Sequence, residues 1–323
     1  MRDTLRWAYA LNQWNLRLDV FVRHEDQIRA LKTLSALGFD HVELAAGTGR
    51  WDNLGRPEVI RLNHGSPEGF LEFLASASIR GVSSMYWDPG QPVEEEGWAF
   101  RSTRNPDDHE AIIASAEPFI EFLAAIGAEQ LVVRPVGSAW MAPPLEPGEA
   151  SVIGDVWNRI GERASAAGLG VSLHYDCLGA VHTAEQLGAL LDATDPSLVG
   201  LAVDTAEMTI GGLDPVQVYE QWRDRVNHVH LKDTRSVDIG EEYLMPGAET
   251  AMLRGGGARR IERWFYELGT EGGLVDVEGF VAALRRHQYP GWVVVESDHG
   301  GNPAELAMLN SWYLQQRLSV SRT

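Results

Sequence analysis

The chain is poor in cysteine and in basic residues, and it has no long apolar run. Cys177 is the single cysteine in 323 residues, so no intrachain disulfide can form, which fits a reducing, cytoplasmic compartment. Lys and Arg total 27 against 46 Asp and Glu, a formal net charge of −19. An acidic excess of that size repels a phosphate backbone and an anionic membrane, so neither nucleic acid nor lipid is expected as a partner. No apolar stretch approaches the roughly 20 residues a membrane span requires. The opening Met1-Arg2-Asp3-Thr4-Leu5-Arg6-Trp7 lacks the apolar core of a secretory leader. Also missing is the glycine-rich turn that follows the first strand of a dinucleotide-binding sheet: the corresponding stretch reads Leu11-Asn12-Gln13-Trp14.

What is present is alternation. Hydrophobic residues make up 44% of the chain and charged residues 23%, enough for a sizeable core, and the 11 tryptophans read first as packing residues. Short, β-branched apolar runs fall at Arg6–Asn12, His41–Ala45, Gly81–Trp87, Gln130–Pro135, Gly170–Tyr175, Gly200–Asp204, Val226–Leu231 and Trp292–Glu296. Helix-period segments lie between them. Asp26–Leu37 carries Ile28, Leu31, Leu34 and Leu37 and stops at Gly38; Ser66-Pro67-Glu68 opens the next; Thr183 with Gln186 three residues on forms a capping box; Asp214-Pro215 opens another. Eight strands alternating with helices in about 300 residues predict a single α/β domain over residues 1–323, a (β/α)8 TIM barrel. The least regular segment, Thr234–Arg260 with Gly255-Gly256-Gly257, reads as an insertion after the seventh strand, either a loop over the mouth or a surface excursion.

In such a barrel the active site forms from the C-terminal ends of the strands. Strands five to eight end on His174, Asp204, His230 and Glu296. A barrel interior is otherwise apolar, and an unpaired charge in it costs several kcal/mol, so four polar ends in succession point to ligands of one ion. Mixed imidazole and carboxylate suit a divalent metal, and with no thiolate assigned a closed structural zinc site is excluded. Manganese is the first expectation, with cobalt, magnesium, iron or zinc as alternatives. Open positions on the ion would take two oxygens of a polyol or an enediolate.

These residues also carry a family resemblance. Gly200-Leu201-Ala202-Val203-Asp204-Thr205, then Asp214-Pro215, then Arg225-Val226-Asn227-His228-Val229-His230-Leu231-Lys232-Asp233 resembles the xylose isomerase-like superfamily of sugar isomerases and epimerases. Gly273-Leu274-Val275-Asp276 and Tyr289-Pro290-Gly291-Trp292-Val293-Val294-Val295-Glu296-Ser297-Asp298 are similar to its inosose dehydratase branch, and Gly38-Phe39-Asp40-His41-Val42-Glu43-Leu44 to the family's second strand. The resemblance implies Asp204, His230 and Glu296 as metal ligands. The fourth family ligand is usually a Glu at the end of strand five, where this chain has His174. Asp176 stands where some dehydratase-like members carry a second His, and Glu207 where many members have His. The family's two-glutamate epimerisation therefore lacks one member in this chain.

The resemblance implies a metal-dependent sugar isomerase or epimerase working through proton abstraction beside a carbonyl and an enediolate. The alternative is a lyase or dehydratase that eliminates a β-substituent from a keto-sugar, keto-inositol or 3-keto-glycoside. Asp176 and Glu207 are then the general acid and base, and Lys232 neutralises the developing enolate or pairs with Asp233. Glu43 contacts substrate or orients a ligand; Asn12, Trp14 and Trp87 line the pocket; Arg134 binds substrate or steadies the carboxylates. Asp204 reads either as a ligand or as the N-cap of the segment that follows it. A metal-dependent endonuclease on the same barrel is opposed by the charge, and a non-enzymatic sugar-binding protein is the remaining class. A homo-oligomer or a companion subunit is expected only by analogy with other barrels, which pair through their outer helices.

Overall fold

A computed structural model describes residues 5–14, 24–46, 55–90, 101–141, 145–146, 148–248, 263–298 and 301–320. Eight parallel strands close into a barrel: β1 (Arg6–Ala10), β2 (His41–Ala46), β3 (Gly81–Trp87), β4 (Gln130–Val133), β5 (Gly170–His174), β6 (Val199–Asp204), β7 (Val226–Leu231) and β10 (Trp292–Val295), with β10 returning to pair with β1. Two further short strands, β8 (Asp233–Thr234) and β9 (Phe265–Tyr266), form an antiparallel ribbon just beyond β7. The expected strands are all present; several are one or two residues shorter at their C-terminal ends, where the chain turns into loops.

The helices follow from their sequence signals. Pro67–Ser76 is capped by the Ser66 side chain, which accepts from the Gly69 amide. Thr183 and Gln186 form the reciprocal capping box of Ala184–Asp192. Asp214 caps Pro215–Trp222 by accepting from two amides. After His24–Ala36 the chain reverses at Gly38, whose φ of +95° is a conformation only glycine adopts without strain. Pro57–His64 and Thr205–Ile210 are additional helices that the apolar period did not reveal. Among the described residues no helix is long and apolar enough to cross a membrane. Gly255, Gly256 and Gly257 lie outside the described residues.

Strand alternation sorts the side chains. Outward positions such as Val42, Leu44, Leu131, Val133, Leu201, Val203, Val229, Leu231, Val293 and Val295 join the main core between barrel and helices. Each such residue, fully buried, contributes about 1.5–3 kcal/mol. Ala8, Ala10, Trp292 and Val294 form a separate cluster inside the barrel. Two bulges interrupt the alternation. One places Ser83 as an extra residue in β3, so that Glu43 pairs with Ser84; the other places Asn227 as an extra residue in β7, so that Ala202 pairs with His228. A one-residue slip exchanges the two faces of a strand, and these bulges decide which residues beyond them point inward.

Candidate metal centre

The inward residues at the C-terminal ends of β5, β6, β7 and β10 converge. His174 Nε2 lies 3.2 Å from Asp204 Oδ2; His230 Nδ1 lies 3.7 Å from the same oxygen and 3.5 Å from Glu296 Oε2. All four residues are buried. Asp204 serves two purposes at once. Oδ1 accepts the Glu207 amide at 2.9 Å and caps Thr205–Ile210, while Oδ2 is left for the cluster. The ligand and capping readings of this residue are thus compatible.

Donors held about 2.1 Å from one ion stand about 3.0–3.4 Å apart in octahedral or tetrahedral arrangement. Of the observed separations, 3.2 Å falls within that spacing and 3.5 and 3.7 Å lie within about 0.3 Å of it. His230 Nδ1 is buried and completes no hydrogen bond among the described residues, and neither does Glu296 Oε2, which has the Lys232 ammonium at 3.3 Å. Such orphaned atoms are costly unless something else satisfies them. Charge gives the same answer. Lys232 Nζ is surrounded by Asp204 (3.0 Å), Asp298 (3.1 Å), Glu296 (3.3 Å) and Glu207 (3.7 Å), four carboxyl groups for one ammonium. The residues present fit a divalent cation.

The electrostatics divide the carboxyl groups. Burial, helped by Asp176 and Asp204 and opposed by Lys232, pushes Glu207 up to about 8. Burial together with Asp298 pushes Glu296 up to about 8 against Lys232 and His230. Asp204 is buried too, yet Lys232 and the imidazoles of His174 and His230 hold it well below the usual carboxylate range. Burial works against charge on Lys232, but the carboxylates around it keep its ammonium firmly protonated. The Phe265 ring, carried on β9, covers that ammonium at 4.1 Å.

The remaining expected residues divide as well. Asn12, in the one-turn helix Asn12–Trp14, donates to Glu296 Oε1 and so reaches the centre. Trp14 packs edge-on against Tyr9, its ring 5.9 Å away. Arg134 is buried between Asp176 (2.7 Å) and Asp88 (3.3 Å), and also donates to Ser138; it braces the ends of β3, β4 and β5. Asp176 also accepts the Leu178 amide, and the Cys177 amide donates to Glu207 at 2.9 Å. One donor atom each from Asp176, Cys177 and Glu207 lies within 4.8 Å of the others. The Cys177 thiol is buried and pushed up by burial, so it stays protonated.

Trp87 is placed elsewhere than the sequence reading put it. It turns outward, against Phe119 and Trp157 of the helical layer, because the Ser83 bulge reverses the parity of β3. Its neighbour Tyr86 takes the inward place and meets His174 edge-on at 5.3 Å. Counting by twos from Ser84 gives Tyr86, but nothing in the sequence reveals the bulge. Glu43 lies below the centre, with His228 Nε2 at 2.9 Å, His230 Nε2 at 2.7 Å and Ser84 Oγ at 2.6 Å.

Known proteins share sequence and fold with this chain. The inosose dehydratase of Lacticaseibacillus casei is 25% identical over 243 residues, covering 70% of this chain and 76% of that protein. An inosose dehydratase of Bacillus velezensis is 31% identical over 166 residues, 50% of this chain and 52% of that protein. A probable 3-DHS dehydratase involved in petrobactin synthesis from Bacillus anthracis superposes with a TM-score of 0.71 at 16% identity, covering 97% of this chain and 100% of that one. A D-allulose 3-epimerase from Methylomonas sp., solved with D-allulose, gives 0.68 at 16% identity over 97% of both chains. These last two share the fold. The profile of the xylose isomerase-like TIM barrel matches residues 31–313, and the chain belongs to that family of enzymes.

Proposed function

We propose that the protein is a divalent-metal-dependent enzyme that removes a proton beside the carbonyl of a keto-sugar or keto-polyol and then expels a β-hydroxyl, a dehydratase-type lyase. The convergence of His174, Asp204, His230 and Glu296 beside a buried Glu207 carries the reading. Two imidazoles and two carboxylates suit manganese first among the divalent ions. When bound, the ion polarises the substrate carbonyl and favours the enolate over the ketone.

The protein side chains supply the proton traffic. Two carboxyl groups in one site with different surroundings can divide acid and base work. Asp176, ion-paired to Arg134, takes the α-proton. Glu207, kept protonated by burial, gives its proton to the departing hydroxyl, which leaves as water. The two groups are near neighbours, so the proton passes from Asp176 to Glu207 and the site is reset. Lys232 neutralises charge on the substrate oxygens, and Asn12 holds Glu296 in place. Arg134 steadies Asp176 rather than meeting substrate. The buried Cys177 suits a reducing, cytoplasmic setting.

Epimerisation is the second reading, favoured by the shared barrel of the D-allulose 3-epimerase. It needs a second proton carrier on the opposite face of the substrate, and an imidazole, His174, occupies the end of β5. Metal analysis is the primary test. Protein purified without chelator is expected to hold one divalent ion per chain, with loss from His230→Ala and Glu296→Ala; a wild type free of divalent metal would sink the proposal. In deuterated water, candidate 2- and 3-keto sugars and keto-inositols are expected to give a product lighter by one water. Deuterium incorporation at unchanged mass selects epimerisation instead.

A further inference from the structure

Glu43 is buried on β2, deep in the barrel, and three polar groups stand against its two oxygens, two of them completing hydrogen bonds. His228 Nε2 approaches Oε2 at 2.9 Å, the Ser84 hydroxyl donates to the same oxygen at 2.6 Å, and His230 Nε2 stands 2.7 Å from Oε1. An ionised carboxylate can only accept, so the nitrogen of each ring that faces it must carry the proton. Both rings are almost wholly buried. The Ser83 bulge is what brings Ser84 round to this side, and the Asn227 bulge sets His228 and His230 inward together. With Nε2 of His230 against Glu43 at 2.7 Å, its Nδ1 is turned up toward Asp204 and Glu296, and neither ring nitrogen completes a hydrogen bond of good geometry among the described residues.

We infer that Glu43 is a positioning residue: it fixes the β7 histidines through their Nε2 protons, with Ser84 holding the carboxylate, and thereby aims the Nδ1 lone pair of His230 at the ion. Three buried ligand atoms of Glu43, His228 and His230 lie close enough to suggest a second cation there. His228 Nε2 completes a hydrogen bond to Glu43 at 2.9 Å and His230 Nε2 stands 2.7 Å from the other oxygen, contacts that assign the cluster to ligand orientation. A carboxylate or carbonyl on the far nitrogen of a metal-bound imidazole sets its tautomer and raises its basicity, and loss of such a partner costs about 10–100-fold in metal affinity.

The inference rests on the metal reading above, and its test separates the two. Metal-free full-length protein is titrated with Mn²⁺ by calorimetry. Glu43→Gln, which keeps size but puts an amide where two acceptors are needed, is expected to bind Mn²⁺ about 10–100-fold more weakly than wild type. Glu43→Asp recovers part of the loss, and Ser84→Ala shows a smaller one. Glu43→Gln binding within twofold of wild type overturns the assignment. Nitrogen-labelled histidine NMR of the metal-free wild type gives an answer that needs neither Mn²⁺ nor a folded variant. His228 and His230 are expected to show Nε2-bound protons protected from exchange, and an Nε2 without a proton on either ring overturns the assignment. Wild type that shows these protons yet binds no divalent ion removes the metal reading and leaves the Glu43 contacts standing.

Discussion

The two ends of the barrel interior are built from different chemistry. At the N-terminal end Gln130, Ser172 and Asn227 meet across β4, β5 and β7: Ser172 Oγ lies 2.7 Å from Asn227 Oδ1 and 3.1 Å from Gln130 Oε1, and Asn227 donates to the Val171 carbonyl at 3.2 Å. These groups are neutral and satisfy one another. At the C-terminal end Asp204, Glu207, Glu296 and Asp298 crowd one lysine, and the buried His230 Nδ1 and Glu296 Oε2 complete no hydrogen bond among the described residues. The same strands thus close one end with groups that need nothing further and leave the other dependent on a cation and a substrate. In a barrel the lower end serves stability and the upper end chemistry, and here the contrast is visible in hydrogen-bond satisfaction itself.

The largest effect that can break this comparison lies at the mouth. Glu207→Gln keeps the side-chain shape and the amide contact with Cys177 but has no proton to give. General acid catalysis contributes about 10²–10⁴-fold, so kcat is expected to fall by that factor while bound metal stays at the wild-type level. A kcat within threefold of wild type takes Glu207 out of the proton path.

The matching change at the lower end should leave chemistry alone. Gly200 sits against Asn227, and a Cβ added to it would stand 2.3 Å from the Asn227 side-chain carbon. Gly200→Ala therefore pushes the amide out of its network and is expected to destabilise the fold by about 1–3 kcal/mol, read from chemical denaturation. Mn²⁺ affinity and kcat of the folded variant are expected to match wild type. Loss of metal binding at temperatures where the variant is folded would mean the two ends are coupled.

The comparison also explains what could be read from the sequence. The barrel was legible because its outward positions are apolar and its helices carry explicit caps, as at Ser66, Thr183 and Asp214. The convergence of His174, Asp204, His230 and Glu296 was legible because each stands at the C-terminal end of a strand, where a barrel gathers its inward polar residues. Trp87 was misplaced and Tyr86 overlooked for one reason: a single extra residue, Ser83, inverts the faces of β3, and a bulge leaves no periodic trace. The pairing of Glu43 with His228 was hidden for a different reason. Their positions are 185 residues apart, and only closure of the barrel brings β2 and β7 within reach across the interior. Arg134 was read as binding substrate or steadying the carboxylates, and the structure pairs it with Asp176.

The smallest effect is the most specific to the mouth. Glu207 is held at about 8 by burial, with Asp176 and Asp204 adding to it and Lys232 opposing. Below that pH the folded protein keeps the proton the departing hydroxyl needs; above it the acid is ionised, so kcat is expected to fall about tenfold per unit beyond pH 8. The sign for stability is the same. An unfolded chain ionises this carboxyl near 4.5. Between there and about 8 the unfolded state has lost a proton that the folded state retains, and stability declines as pH rises. Glu207→Gln is expected to flatten that slope. Gly200→Ala is expected to leave both the rate limb and the slope in place, since Gln130, Ser172 and Asn227 have nothing to titrate. A rate limb that persists unchanged in Glu207→Gln would move the assignment to Glu296, the other carboxyl that burial raises to about 8.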